Sequence, residues 1–177
     1  YLPNQAAVQL VKQESRLLGL IIPDIANPHY PEITKYVEER AHQAGYPVLL
    51  CNSCWDTRQE AAYRDLLLER RVSGLIIMPV CDESHRLFQN LGIPVVFLGS
   101  RTQMDDPWIR SVHMDNFAAG ALAAETLISR GHKRLAYINR NVVNYTADDR
   151  CKGFLHAAAR NHMEPDYVTV RVSDDNT

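Results

Sequence analysis

Gly45, Gly74, Gly92 and Gly131 each fall between a stretch of helical periodicity and a short apolar run. Glycine there supplies the left-handed conformation that ends a helix without steric penalty. A chain punctuated this way alternates helix with strand. Its strands read as continuous apolar runs, the pattern of strands covered on both faces. Strands alternating with helices imply right-handed crossovers and a mostly parallel sheet.

The spacing predicts the following order. An apolar run at 17–22 is the first strand, ended by Pro23. A helix follows over 29–44, with Tyr30, Ile33, Val37, Ala41 and Ala44 on its buried face. Strand 48–51 leads to a helix over 57–71, where Thr57-Arg58-Gln59-Glu60 has capping-box spacing. Then come strand 75–78, a short helix over 82–91, strand 95–98, a polar loop over 101–108 and strand 109–114. A helix over 117–130 carries Phe117, Gly120, Ala121, Ala124 and Ile128 on one face. Asp115 is placed to cap it. Strand 135–138, a polar loop over 140–149, a helix to about 161 and strand 167–172 complete the chain. The loop from Gly99 to Trp108 is long for a compact α/β unit and is expected to reach out or cross between lobes. A sheet that stops directly after a strand looks unfinished, and Tyr1 in place of Met suggests that an upstream part has been removed.

The first strand delivers the chain into Asp24, Asn27, Pro28, His29 and Tyr30. Asn27 can cap the next helix through its side-chain oxygen, and Pro28 suits the first helical position because its missing N–H would be unpaired there. In open α/β sheets the carboxyl ends of the strands are where ligands sit. The loop's charge, amide, imidazole and aromatic ring suit a small polar molecule. Arg150, after the sixth strand and three residues before Gly153, is read at a loop-to-helix junction, where a guanidinium can grip vicinal hydroxyls or a carboxylate.

Other chemistry finds little support. The 177 residues carry 19 Lys and Arg against 21 Asp and Glu, a net charge of −2 that provides no broad basic surface for nucleic acid. No apolar run approaches the roughly 20 residues of a membrane span, and no export signal opens the chain. Gly-x-Gly-x-x-Gly, the phosphate-binding loop and Gly-x-Ser-x-Gly are all absent, so no cofactor and no catalytic residue is assigned. The seven histidines are scattered. Cys51-x-x-Cys54 has no second ligand pair, so no metal is assigned, and Cys51, Cys54, Cys81 and Cys151 are read as reduced structural thiols, which fits the cytoplasm.

Several segments, taken in order, carry a resemblance. They are Tyr1-x-Pro3-x-x-x-Ala7-x-x-Leu10, then Asn27-Pro28-His29-Tyr30, then Glu69-Arg70-Arg71-Val72-Ser73-Gly74-Leu75-Ile76 and Ile93-Pro94-Val95-Val96. Further on come Val112-His113-Met114-Asp115-Asn116 with Gly120, Arg130-Gly131-His132-Lys133-Arg134-Leu135-Ala136, and Arg150-x-x-Gly153-Phe154. Together they resemble the effector-binding core of the lac-repressor and purine-repressor family of bacterial transcription factors, over the whole chain.

That resemblance implies a fold of the periplasmic-binding-protein type I, with two Rossmann-like lobes of parallel sheet, the second incomplete. It implies a hinge-helix remnant over 1–15, an N-terminal lobe over 16–115 and a partial C-terminal lobe over 116–177. It implies a non-enzymatic, cytoplasmic, homodimeric repressor core that binds a small polar effector, a sugar, between its lobes. Operator DNA would be bound through a helix-turn-helix headpiece preceding Tyr1 and a hinge helix whose Leu10 enters the minor groove. Carried over by position, the effector-binding residues are Asn27, His29, Tyr30, Asn52, Ser100, Arg101 and Arg150. Gly99 and Ser100 stand where several members carry an acidic pocket residue, which this chain lacks; Arg101 or Asp115 is the candidate to compensate. A periplasmic sugar-binding protein of the same fold is the alternative, and an α/β enzyme a third reading that no nucleophile–base pair supports.

Overall fold

A computed structural model describes residues 15–102, 104–140 and 145–170. The chain divides into two compact units. Of the described residues, one holds those up to Leu98 together with those of Thr102–Val112; the other holds Gly99–Arg101 and those from His113 onward. The chain therefore leaves the first unit at Gly99 and returns at Thr102, within the long loop whose length suggested a crossing. Leu10 and its segment lie outside the described residues.

In the first unit, β1 (Leu18–Ile22), β2 (Val48–Asn52), β3 (Gly74–Ile77), β4 (Val95–Leu98) and β5 (Ile109–Val112) form one sheet in the order β2-β1-β3-β4-β5, every neighbouring pair parallel. Helices α1 (His29–Gln43) and α2 (Thr57–Glu69) supply the first two crossovers. Successive side chains of β1 point to opposite faces. Ile21 joins Leu67, Ile77, Phe88 and Phe97 in one core, while Leu20 and Ile22 join Met78 in another, against which Tyr30, Ile33 and Val37 of α1 pack. Central β1 is thus fully buried at Leu20, Ile21 and Ile22, whereas Leu49 and Leu50 on edge strand β2 are well exposed.

In the second unit, β6 (Ala136–Arg140) and β7 (Asp166–Val170) pair in parallel. Helices α3 (Asn116–Ser129) and α4 (Tyr145–Arg160) pack closely on each other around Ala124, Phe154, Ala157 and Ala158.

Several expectations need local correction. The predicted capping box does not form. Asp56 is the N-cap of α2, its Oδ1 accepting from the Arg58 N–H at 2.7 Å, and Glu60 turns inward. Gly74 lies within β3 without a positive φ, and Arg71, at φ 53°, takes the left-handed position after α2. Residues 82–91 shorten to a 3-10 helix, Asp82–Phe88, and the fifth strand ends at Val112. The predicted loop over 140–149 is helical from Tyr145, so Arg150 sits in the second turn of α4, not at a loop-to-helix junction. Polar residues are no bar to a helix whose opposite face can bury Cys151, Phe154 and Ala158.

Candidate functional site

The loops after β1 and β2 are laced together at the carboxyl end of the sheet. Ser53 donates to the Ile22 carbonyl through both its N–H (2.8 Å) and its hydroxyl (3.2 Å). The Trp55 N–H donates to the Pro23 carbonyl at 3.1 Å, and the Ile25 N–H to Asn52 Oδ1 at 3.2 Å. The adjacency of β1 and β2 makes this stitching possible, and strand order is set by tertiary pairing. Asn52 holds the first loop in place, while its Nδ2 contacts Cys54 Sγ at 3.3 Å.

Asn27 acts as expected. Its Oδ1 accepts from the His29 N–H at 3.1 Å, and Pro28 already has helical angles (φ −58°, ψ −20°). Behind this cap stand His29, exposed, and Tyr30, half-buried. Their rings meet edge-on at 5.3 Å, and Tyr30 meets Trp55 edge-on at 6.0 Å. Asn27, His29, Tyr30 and Asn52 thus gather on one edge of the first unit, with Trp55 among them. Trp55 was not anticipated. The rule that singles out the first loop applies equally to the residues after β2, where Trp55 stands. Cys54 and Trp55 both adopt positive φ, at 52° and 61°. Non-glycine residues rarely hold that conformation unless their surroundings enforce it, and such strain clusters at ligand clamps.

On α2, Glu60 is fully buried. Its Oε1 accepts from the Val80 N–H at 3.1 Å, and the Ser84 hydroxyl is a second partner. This carboxylate ties the segment after β3 to α2. Burial pushes its carboxyl up, against the opposing pull of those hydrogen bonds. His85, buried and edge-on to Phe97 at 4.4 Å, is pushed down by burial. The four cysteines are free; Cys51, Cys81 and Cys151 are at least half-buried and Cys54 is exposed.

In the second unit, Ser100 is buried and Arg101 exposed, with the Arg101 guanidinium 4.0 Å from Asp149. Arg150 is exposed on α4. A cavity of about 460 Å³ lies within this unit, lined by Arg101, residues 113–117 and Asp149. Asp115 caps α3 as expected, its Oδ1 accepting from the Ala118 N–H at 2.8 Å. Among the described residues no three His, Cys, Asp or Glu side chains gather as a metal site, and no helix is long and apolar enough to cross a membrane.

A doubly wound parallel sheet with polar and aromatic groups at its carboxyl edge, in a chain that also carries a second α/β unit, defines a ligand-binding class of fold. The chain belongs to the family of periplasmic binding proteins and the sugar-binding domain of LacI-type regulators, whose pattern matches residues 15–177. It is 33% identical to the ribose operon repressor of Halalkalibacterium halodurans over 87% of this chain and 45% of that protein. A regulator of this type from Alkaliphilus metalliredigens, solved with D-xylulofuranose, superposes with a TM-score of 0.77 at 28% identity over 88% of this chain and 57% of that one. The Cra transcriptional dual regulator of Pseudomonas putida, solved with fructose 1-phosphate, gives 0.78 at 28% identity over 90% and 59%. The chain spans somewhat under half the length of the curated relatives it matches.

Proposed function

We propose that this chain is the effector-binding region of a cytoplasmic transcriptional repressor without enzymatic activity. It takes up a small polar effector, a sugar, and passes the bound state to a DNA-binding segment of the full-length protein, which acts as a homodimer. The observation that carries this reading is the laced carboxyl edge of β1 and β2, where Asn52 and the Asn27 cap hold His29 and Tyr30 at the rim of the sheet. The similarity to repressors named for sugar operons supports it.

The residues assigned to the effector are Asn27, His29, Tyr30 and Asn52 in the first unit, and Ser100, Arg101 and Arg150 in the second. Leu10 is assigned to operator DNA by position. Regulation of this kind needs the effector to favour one arrangement of the protein by about 1–3 kcal/mol. Calorimetry on the full-length protein tests the site. Arg150→Ala should weaken effector binding by roughly 1.5–3 kcal/mol, the scale of a hydrogen bond to a charged group. Unchanged affinity would remove Arg150 from the site. An effector that binds yet leaves operator affinity unaltered would remove the regulatory reading.

A further inference from the structure

Cys54 and Trp55 stand side by side in the left-handed region, at φ 52° and 61°. Glycine and asparagine usually fill such positions, because a larger side chain is strained there. Here one of the two carries an indole. Three hydrogen bonds hold the turn in place. The Trp55 N–H donates to the Pro23 carbonyl at 3.1 Å, the Asp56 N–H to the Ser53 carbonyl at 2.9 Å, and Asn52 Nδ2 to Cys54 Sγ at 3.3 Å. The turn sets the indole at the carboxyl end of β2, beside the loop that follows β1.

The indole builds a corner there. Its plane meets that of Tyr30 at 71°, with centroids 6.0 Å apart. Tyr30 is anchored, packed against the core of Leu20, Ile22 and Met78. Two fixed aromatic planes at a steep angle receive a flat molecule, its apolar face on one ring and its edge against the other. An indole that served packing alone would gain most when fully buried. Trp55 is half-buried, so it keeps apolar area for a ligand to cover. Asn27 and His29, both exposed, offer polar groups next to it.

We infer that Trp55 is a specificity-determining residue for the effector. It selects the ring form of a sugar, whose C–H face lies in the aromatic corner, over the open-chain alditol. An alditol carries comparable hydroxyls but no preformed apolar face. This rests on the effector-binding reading above.

The sequence supplies a control. Trp108 precedes β5 and Trp55 follows β2, and every neighbouring pair of strands between them is parallel, so the two indoles lie at opposite ends of one sheet. The test is calorimetry and tryptophan emission on the full-length protein, with D-ribose beside ribitol, D-xylulose beside xylitol and D-fructose beside D-mannitol. At least one sugar should bind, about tenfold or more tighter than its alditol, which must also be ordered on binding. Trp55→Ala should weaken that sugar roughly three- to tenfold and its alditol by less than about twofold, so the preference narrows. Trp55→Phe, which keeps an aromatic ring, should recover most of the loss. The change in emission on adding the sugar should be smaller in Trp55→Phe than in wild type and unaltered in Trp108→Phe. This emission arm does not depend on how Trp55→Ala folds. Equal weakening of sugar and alditol in Trp55→Ala, an alditol bound as tightly as its sugar by the wild type, or the same emission change in Trp55→Phe as in wild type would overturn the inference and leave the effector-binding reading standing. Binding of none of these six probes would overturn both.

Discussion

Gly120 on α3 and Gly153 on α4 each stand where the backbone of the other helix passes. A Cβ at Gly120 would lie 1.9 Å from the Arg150 carbonyl oxygen, and one at Gly153 would lie 1.9 Å from that of Phe117. The two helices can touch only because both side chains are missing. That contact also sets where Arg150 and Phe117 begin, which ties the packing of the second unit to two residues of its candidate sites.

Gly120→Ala or Gly153→Ala should therefore force α3 and α4 apart. The expected loss is at least about 1–3 kcal/mol, the usual cost of overpacking, read from denaturant unfolding of the full-length protein. The double variant should cost less than the sum, because one separation relieves both clashes. Full additivity would show that the two glycines act independently.

Glu60 gives a stability term whose sign follows from burial. Its folded carboxyl is pushed above its unfolded value. The contribution is fully present below the unfolded value and is lost as pH rises through the folded one. Glu60→Gln should flatten that part of the pH dependence, so its stability relative to the wild type should improve as pH rises above the ordinary carboxylate range. A constant difference between wild type and variant across that range would contradict this.

His85 runs the other way. Burial holds its imidazole below the ordinary value, so its stabilisation is present above that value and is lost as pH falls through the depressed one. His85→Leu should remove this acid-side loss while keeping the contact with Phe97. Parallel unfolding curves for wild type and variant between neutral and mildly acidic pH would rule it out.

Asp115 caps α3 through one hydrogen bond to Ala118. Asp115→Ala should cost about 1 kcal/mol, and Asp115→Asn, which keeps the acceptor, should recover most of it. Thermal unfolding measures both.

Asn52 reaches from the end of β2 to the backbone of the β1 loop. Asn52→Ala should cost about 0.5–1.5 kcal/mol and raise amide hydrogen exchange at residues 24–27, with little change in the helix that follows. Unaltered exchange there would show that the Ser53 and Trp55 bonds hold the loop by themselves.

Alternating apolar runs and helical faces made the parallel α/β order readable from the chain, because both patterns are local. The Asn27 and Asp115 caps were legible for the same reason, each being a side chain bonded to a backbone two or three residues away. Glu60 shows where local reading stops. Its spacing matched a capping box, yet its partners are Val80 and Ser84, 20 or more residues on.

What the sequence by itself determined is the type and order of the elements and the identity of the groups offered at the strand ends. What only the tertiary structure decided is which of those groups meet. Trp55 joins Tyr30 because β2 pairs with β1, and the start of α4 lies within the helix because its other face packs on α3 through two glycines. Strand pairing and helix crossing depend on contacts between residues far apart in the chain, and no local spacing records them.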